Sequence, residues 1–357
     1  MTRGDVRVGF IGSGFARRVQ LPGLALVPGT KPVAIASGHR ANADAVARDF
    51  GLPLVFSDGI ELARSPDVDL VIVSSTPDSH ARYAIAALEA GKHVLCEKPM
   101  AIDAFEAAQM LAASAQHPDS IAWIDHELRY EPNRRRAREL IRSQALGELR
   151  HIELSLKPYL RGDGRPQAFD APWTWWFDAA QGGGILGAVG SHLIDLCRFW
   201  CGSEIRYVAG LVETFVKQRM DESGQARPVT ADDFASCVLQ TATGVVATIT
   251  LSTVAHHGPG HLGQVTGSEG TLLLSGETTL EFGKSGGPLE DVSATDDLWE
   301  QTTPNNMWAR SFVRLMREMV HVIRGGVPQG EPATFRDGWE VQRVLDAVRG
   351  GRGVRLD

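Results

Sequence analysis

Short runs of consecutive apolar residues recur along the first third of the chain: Val6 to Ile11, Val33 to Ala36, Leu70 to Val73 and His93 to Cys96. None alternates with polar positions, which is the pattern of strands covered on both faces in a parallel sheet. Between them lie segments of helical spacing, Asn42 to Phe50 and Ser79 to Ala90. Asp103 followed by Glu106 has the form of an N-cap with its capping-box partner and opens a helix from Ala104 to Ala113. Strand, helix and strand at this spacing predict an α/β domain over residues 1–125, a doubly wound parallel sheet that takes ligands at the carboxyl ends of its strands.

The rhythm changes from about Trp123. In His151 to Lys157, Ile152, Leu154 and Leu156 alternate with Glu153, Ser155 and Lys157. Further strands are expected at Tyr207 to Lys217, Phe234 to Thr241, Val245 to Thr253, Leu262 to Thr266 and Thr271 to Leu274, separated by glycine-rich turns. Residues 126–357 therefore read as a second α/β domain, with a large, mostly antiparallel open sheet carrying helices on one face. The segment Val245 to Leu251 has little charge on either side, which favours a second subunit over solvent on the open face. A last helix, about Phe335 to Val348, is expected to pack back at the domain junction.

Composition narrows the function. The 357 residues carry 36 Lys and Arg against 43 Asp and Glu, a net charge of −7. That balance argues against a broad nucleic-acid or anionic-membrane surface. No apolar run is long enough to span a membrane, and Met1 to Asp5 does not open a secretory signal, so a cytoplasmic protein is expected. Cys96, Cys197, Cys201 and Cys237 form no CxxC pair, and neither a disulfide framework nor a metal site is expected.

Gly12-Ser13-Gly14 follows the first strand and opens a helix, where a tight turn lets the backbone approach a pyrophosphate at the helix N-terminus. The third fingerprint position is Arg17, preceded by Ala16; Arg17 either points outward as a solvated helix residue or turns toward phosphate. The second strand ends in Ser37-Gly38-His39-Arg40, without the acidic residue that would bind both ribose hydroxyls of NAD. Ser37 and Arg40 suit a 2′-phosphate, so NADP is expected ahead of NAD; the alternative is a surface turn with Arg40 in water.

Several segments then line up with one family: the Gly12/Gly14 turn, Ser75-Thr76-Pro77-Asp78-Ser79-His80, Ala90-Gly91-Lys92-His93-Val94-Leu95-Cys96-Glu97-Lys98-Pro99, Gly182-Gly183-Gly184 running to Gly190-Ser191-His192-Leu193-Ile194-Asp195, Gly267 to Thr271, and Ala333 to Gly338. The chain resembles the Gfo/Idh/MocA oxidoreductases, the glucose–fructose oxidoreductase and inositol dehydrogenase family, over nearly its whole length. The resemblance implies a Rossmann domain followed by an α/β domain with a large open sheet, through which a homodimer or homotetramer is expected. It also implies hydride transfer between a nicotinamide cofactor and a carbinol or carbonyl carbon of a sugar, cyclitol or related polyhydroxylated molecule. Lys98 would hydrogen-bond the reacting oxygen and His192 would act as general acid and base, with the nicotinamide beside Thr76 and Pro77. The implied cofactor set is Gly12, Ser13, Gly14, Phe15, Ala16, Ser37, His39, Arg40, Ser75, Thr76, Pro77, His80, Glu97 and Lys98. The Lys98–Pro99 bond is a candidate for the cis form. Many relatives carry an aspartate four residues before the histidine; here that position is Ala188, which marks a variant subgroup and leaves proton transfer to His192 with Lys98.

On their own, Lys98 reads more often as a surface lysine than as a catalyst, and His192 as a core or cap histidine; Asp195 shares the helical face of His192 three residues on. The expected substrate set is Lys98, His126, Tyr159, Arg161, Trp175, His192 and Asp195, with Glu127 and Arg129 as further candidates; for Arg129 a salt bridge at the domain junction is the preferred reading. Trp173, Trp175 and Trp176 form either a packed loop or the wall of a sugar site. His256, His257 and His261 read as loop histidines, and Arg134-Arg135-Arg136 as a solvated helix face. Two rival functions stay open: a glycosidase-like enzyme that recycles a tightly bound NAD, and a non-catalytic nucleotide-binding or sensing protein.

Overall fold

The computed structural model describes residues 4–157, 171–351 and 353–356, in two units. Tyr159 and Arg161 lie outside the described residues. The first unit comprises Met1–Glu131 and Asp296–Trp339. Its sheet has strands β1 (Val6–Ile11), β2 (Thr30–Ala36), β3 (Leu54–Phe56), β4 (Leu70–Val73), β5 (His93–Cys96) and β6 (Ala122–Ile124), ordered β3-β2-β1-β4-β5-β6. All pairs are parallel, and the order reverses between β1 and β4, which makes the carboxyl edge there a switch point for ligand binding. The expected doubly wound parallel sheet is therefore present. The expected capping box forms in part: the Asp103 carboxylate accepts from the Glu106 amide at 2.8 Å and starts helix Ala104–Gln116.

The chain returns to this unit late. Helix Met307–Ile323 buries Phe312, Val313, Leu315, Met316 and Met319 in one cluster with Val8, Phe10, Leu21 and Leu24. An apolar stripe that wide needs a covering surface, and the far face of the parallel sheet supplies it. The last helix runs Phe335–Arg349, with Phe335 buried in the core of the first unit.

The second unit comprises Pro132–Thr295 and Glu340–Asp357. Its strands are β7 (Leu149–Lys157), β8 (Ile205–Glu213), β9 (Gln218–Met220), β10 (Ala226–Pro228), β11 (Phe234–Thr241), β12 (Val246–Ser252), β13 (Gly260–Gly267), β14 (Gly270–Ser275), β15 (Thr279–Lys284), β16 (Leu289–Asp291) and β17 (Val354–Arg355). Nine of them form one sheet, ordered β16-β15-β14-β13-β7-β12-β11-β8-β17, antiparallel except for β7 with β12. Ile152, Leu154, Ala247, Ile249 and Leu239 are buried on one face, the side of helix Ser191–Cys201, whereas Leu211, Val238 and Leu262 are exposed. Strands β9 and β10 form a separate hairpin.

Three expectations need correction here. The strand foreseen from Tyr207 to Lys217 stops at Glu213, because the Asp233 carboxylate takes the amides of Phe215 and Val216, each at 2.8 Å, and bends the chain. Arg134 is not on a solvated face: it is 0% exposed, on helix Pro132–Arg142, and its Nη2 reaches His261 Nδ1 at 2.5 Å. His261 accordingly lies buried on β13 rather than in a loop, while His256 and His257 are exposed loop residues. No helix among the described residues is long and apolar enough to cross a membrane.

Candidate active site

The turn after β1 requires glycine at position 12. Its φ is +108°, and a Cβ there would stand 2.3 Å from the Ser74 carbonyl oxygen at the end of β4. A helical turn starts at Gly14, whose α-carbon is open: nothing lies within 4 Å of where a Cβ would project. The first amides of a helix have no partner within it, so this open glycine leaves a cradle of the kind a pyrophosphate fills. Ala16 is buried and takes the close packing position, aided by a π-turn over Ala16–Gln20. Arg17 points outward and pairs with Asp49 at 2.5 Å rather than facing the turn.

At the end of β2, Ser37 Oγ lies 3.1 Å from Ser13 Oγ, joining the second strand to the glycine turn. His39 caps helix Arg40–Phe50 through its backbone alone. The Arg40 guanidinium donates to Asp44 at 2.9 Å and to Ser57 Oγ at 3.1 Å, and stays half exposed. The residues foreseen for the adenosine end of a dinucleotide are thus together on one edge.

The loops after β4 and β5 are braced by His80. Its ring is 1% exposed, with Nδ1 3.1 Å from the Pro99 carbonyl and Nε2 3.0 Å from the Ser75 carbonyl. Burial pushes its pKa down, against two carbonyls that favour the charged ring. His80 therefore serves any ligand of Ser75, Thr76 and Pro77 by holding their loop, not by direct contact. The Lys98–Pro99 bond is cis. Lys98 Nζ lies over the ring of Trp308, 5.9 Å from its centroid.

Three carboxyl groups surround Lys98. Glu97 Oε1 accepts from Gln20 Nε2 at 2.9 Å, and Gln20 Oε1 in turn accepts from Ser74 Oγ at 2.5 Å. Burial raises the Glu97 pKa, opposed by the Lys98 charge. Asp125 is pushed well above the usual carboxylate range by burial, with Glu127 and Glu97 adding to it. Glu127, buried in the turn Glu127–Tyr130 after β6, is pushed up to about 8, by burial first, with Glu97 also raising it and Lys98 opposing. Acids whose ionisation burial opposes, set around one lysine, make this cluster a candidate for proton transfer. Next to it, His126 is buried, and Arg129 is an ion-pair residue, donating to Asp337 at 2.9 Å and to the Glu331 carbonyl at 3.1 Å.

In the second unit, His192 occupies the second position of helix Ser191–Cys201 and is fully buried. A π-turn over Leu186–Gly190 leads into that helix, and Asp232 anchors it by accepting from the Leu186 amide at 2.7 Å. Asp195 faces Arg198 at 3.6 Å, and Arg198 holds Glu204 through two bonds of 2.7 and 2.8 Å. Trp175 is 37% exposed on a short turn, whereas Trp176 packs edge-on to Phe177 and Trp173 donates its indole N–H to the Pro228 carbonyl at 2.9 Å.

Sequence reasoning passed over Gln20, Asp125, Asp232 and Trp308. Asp125 had a usable signal, since it follows the apolar residues of β6 as Glu97 follows those of β5.

Comparison with known proteins agrees with this geometry. Residues 6–126 match the model of an oxidoreductase family with an NAD-binding Rossmann fold, and residues 134–273 match the GFO/IDH/MocA C-terminal domain. An uncharacterized oxidoreductase of Synechocystis sp. is 30% identical over 280 residues, covering 78% of this chain and 74% of that protein. Glucose-fructose oxidoreductase domain-containing protein 2 of Xenopus laevis is 29% identical over 362 residues, covering 96% and 90% respectively. Among solved structures, an oxidoreductase domain protein from Kribbella flavida superposes with a TM-score of 0.86 at 27% identity over 99% of this chain and 100% of that one. Levoglucosan dehydrogenase in complex with NADH and levoglucosan shares the fold, with a TM-score of 0.84 at 23% identity over 98% and 99% of the two chains. The chain belongs to the GFO/IDH/MocA family of oxidoreductases, and its first domain is that family's NAD-binding Rossmann fold.

Proposed function

We propose that this protein transfers hydride between a nicotinamide dinucleotide and a carbinol or carbonyl carbon of a sugar, cyclitol or similar polyhydroxylated small molecule. The observation that carries this reading is Lys98, set at the carboxyl end of β5 among three buried carboxyl groups. The dinucleotide, when bound, supplies or takes up the hydride. Gly12, Ser13 and Gly14 would face its pyrophosphate, and Thr76 and Pro77 the nicotinamide. Lys98 polarises the substrate oxygen and His192 moves the proton, with Ala188 in place of the aspartate many relatives carry. The sugar-like substrate is supported by names among the relatives and structural neighbours, such as levoglucosan dehydrogenase.

Lys98→Ala should lower turnover by roughly 10²–10⁴-fold while dinucleotide affinity is kept, assayed by nicotinamide absorbance over a panel of sugars and cyclitols. Near-normal turnover would remove Lys98 from the chemistry. NADP is the favoured cofactor because Ser37 to Arg40 offers no carboxylate to the ribose and does offer a guanidinium. Arg40→Ala should weaken NADP by about tenfold and NAD little, read by calorimetry; equal losses would refute the preference.

A further inference from the structure

Strands β5 and β6 run parallel with Cys96 opposite Ile124, so the next residues, Glu97 and Asp125, leave the sheet side by side. The Asp125 amide donates to the Cys96 carbonyl at 2.7 Å, which carries the register one step past the strands. Neighbouring strands stand about 4.8 Å apart, and two buried carboxylates at such spacing do not both ionise. Glu97 is 7% and Asp125 0% exposed. The Glu97 oxygens have donors in Gln20 Nε2 and, at 3.2 Å, the Lys98 amide. The Asp125 oxygens have none among the described residues unless a proton lies between Asp125 and Glu97.

We propose that Glu97 and Asp125 hold one proton between them, and that Asp125 is thereby a positioning residue that keeps a single negative charge behind the Lys98 ammonium. This rests on the reading of Lys98 given above. The titratable groups facing the pair are Lys98, Glu127 and the Cys96 thiol, and Gln20 with Ser74 completes the neutral side. The proton resides on Asp125, where burial and the Glu97 charge act together, and the charge on Glu97, which Lys98 and Gln20 stabilise. Loss of that proton in alkali adds a second negative charge and draws the ammonium back from the substrate oxygen.

Two substrate-free measurements on the NADH-bound protein test this. Glu127, raised to about 8, is also protonated at neutral pH, so the band is read in Glu127→Gln. Infrared spectroscopy of that variant at neutral pH should show a buried, protonated carboxyl band that adding Asp125→Asn removes and that alkali bleaches. No such band at neutral pH, or a band untouched by both treatments, overturns the shared proton. Asp125→Asn keeps a donor toward Glu97 but can never become an anion. In alkali, where wild-type Asp125 becomes an anion, Lys98 labelling by an acylating reagent should therefore be about tenfold faster in the variant than in the wild type, read by mass spectrometry. Equal labelling overturns the positioning role, since a merely structural residue would leave the lysine's reactivity in place. Should Asp125→Asn fail to fold, the alkaline bleaching of the band in Glu127→Gln still decides. Failure of either measurement leaves the Lys98→Ala turnover result standing, and the reverse holds too.

Discussion

The surroundings of Lys98 in the first unit and the helix–sheet layer of the second bury charge in opposite ways. In the first, Glu97, Asp125 and Glu127 gather around one lysine, and burial raises the pKa of all three. In the second, the buried cations are matched: Arg134 donates to His261 and to the Gly276 carbonyl, and Arg198 faces Asp195 and clasps Glu204. His261 is held well below its ordinary pKa by burial and by Arg134, so it remains a neutral acceptor for the guanidinium. A cation whose bonds go to neutral acceptors or to a carboxylate fixes a scaffold. An arrangement with acids left over stores protons, which is the property the proposed chemistry draws on.

The sharpest way to break this contrast is Arg134→Met. It removes a buried guanidinium that joins a helix to β13 and strands the His261 ring, so we expect a loss of about 3 kcal/mol in urea denaturation. A loss below about 1 kcal/mol would mean that the pair is not structural. Glu127→Gln probes the other unit. A carboxyl raised to about 8 in the folded protein contributes stability that is whole below its unfolded value near ~4.3 and drains away as pH rises toward 8. The variant should therefore match wild type in weak acid and exceed it by about 1–2 kcal/mol at pH near ~9, after discounting for the coupled neighbours. A parallel pH dependence in both proteins would show that Glu127 ionises normally. The smallest effect is expected from Arg198→Lys, which trades a two-pronged grip on a part-exposed Glu204 for a single point charge, about 1 kcal/mol in thermal unfolding.

Much of the first unit was legible because β1, β4 and β5 are buried on both faces and so appear as unbroken apolar runs. Strand β3 was not, since its three half-buried residues are too few to set a period. The glycine turn and Asp103 were readable because backbone conformation and capping restrict residue choice locally. The return of Met307–Ile323 to the first unit was not, because an apolar stripe announces that it needs cover without naming what covers it. Arg134 misled as part of a basic triplet, although it shares a helical face with the buried Ala137 and Ile141, three and seven residues on. The charge identity outweighed the period, and the period was the better guide. Likewise the lysine of the candidate site was visible in a local motif, while its acid partner Asp125 depended on strand register, which local sequence does not print.

His80 has a mechanical corollary. With one ring nitrogen on Ser75 and the other on Pro99, it works as a crossbar between the loops that leave β4 and β5. Lys98 precedes Pro99 directly. Under the proposed function the loop of the cofactor and the loop of the lysine therefore share one brace, and removing that ring would loosen both at once.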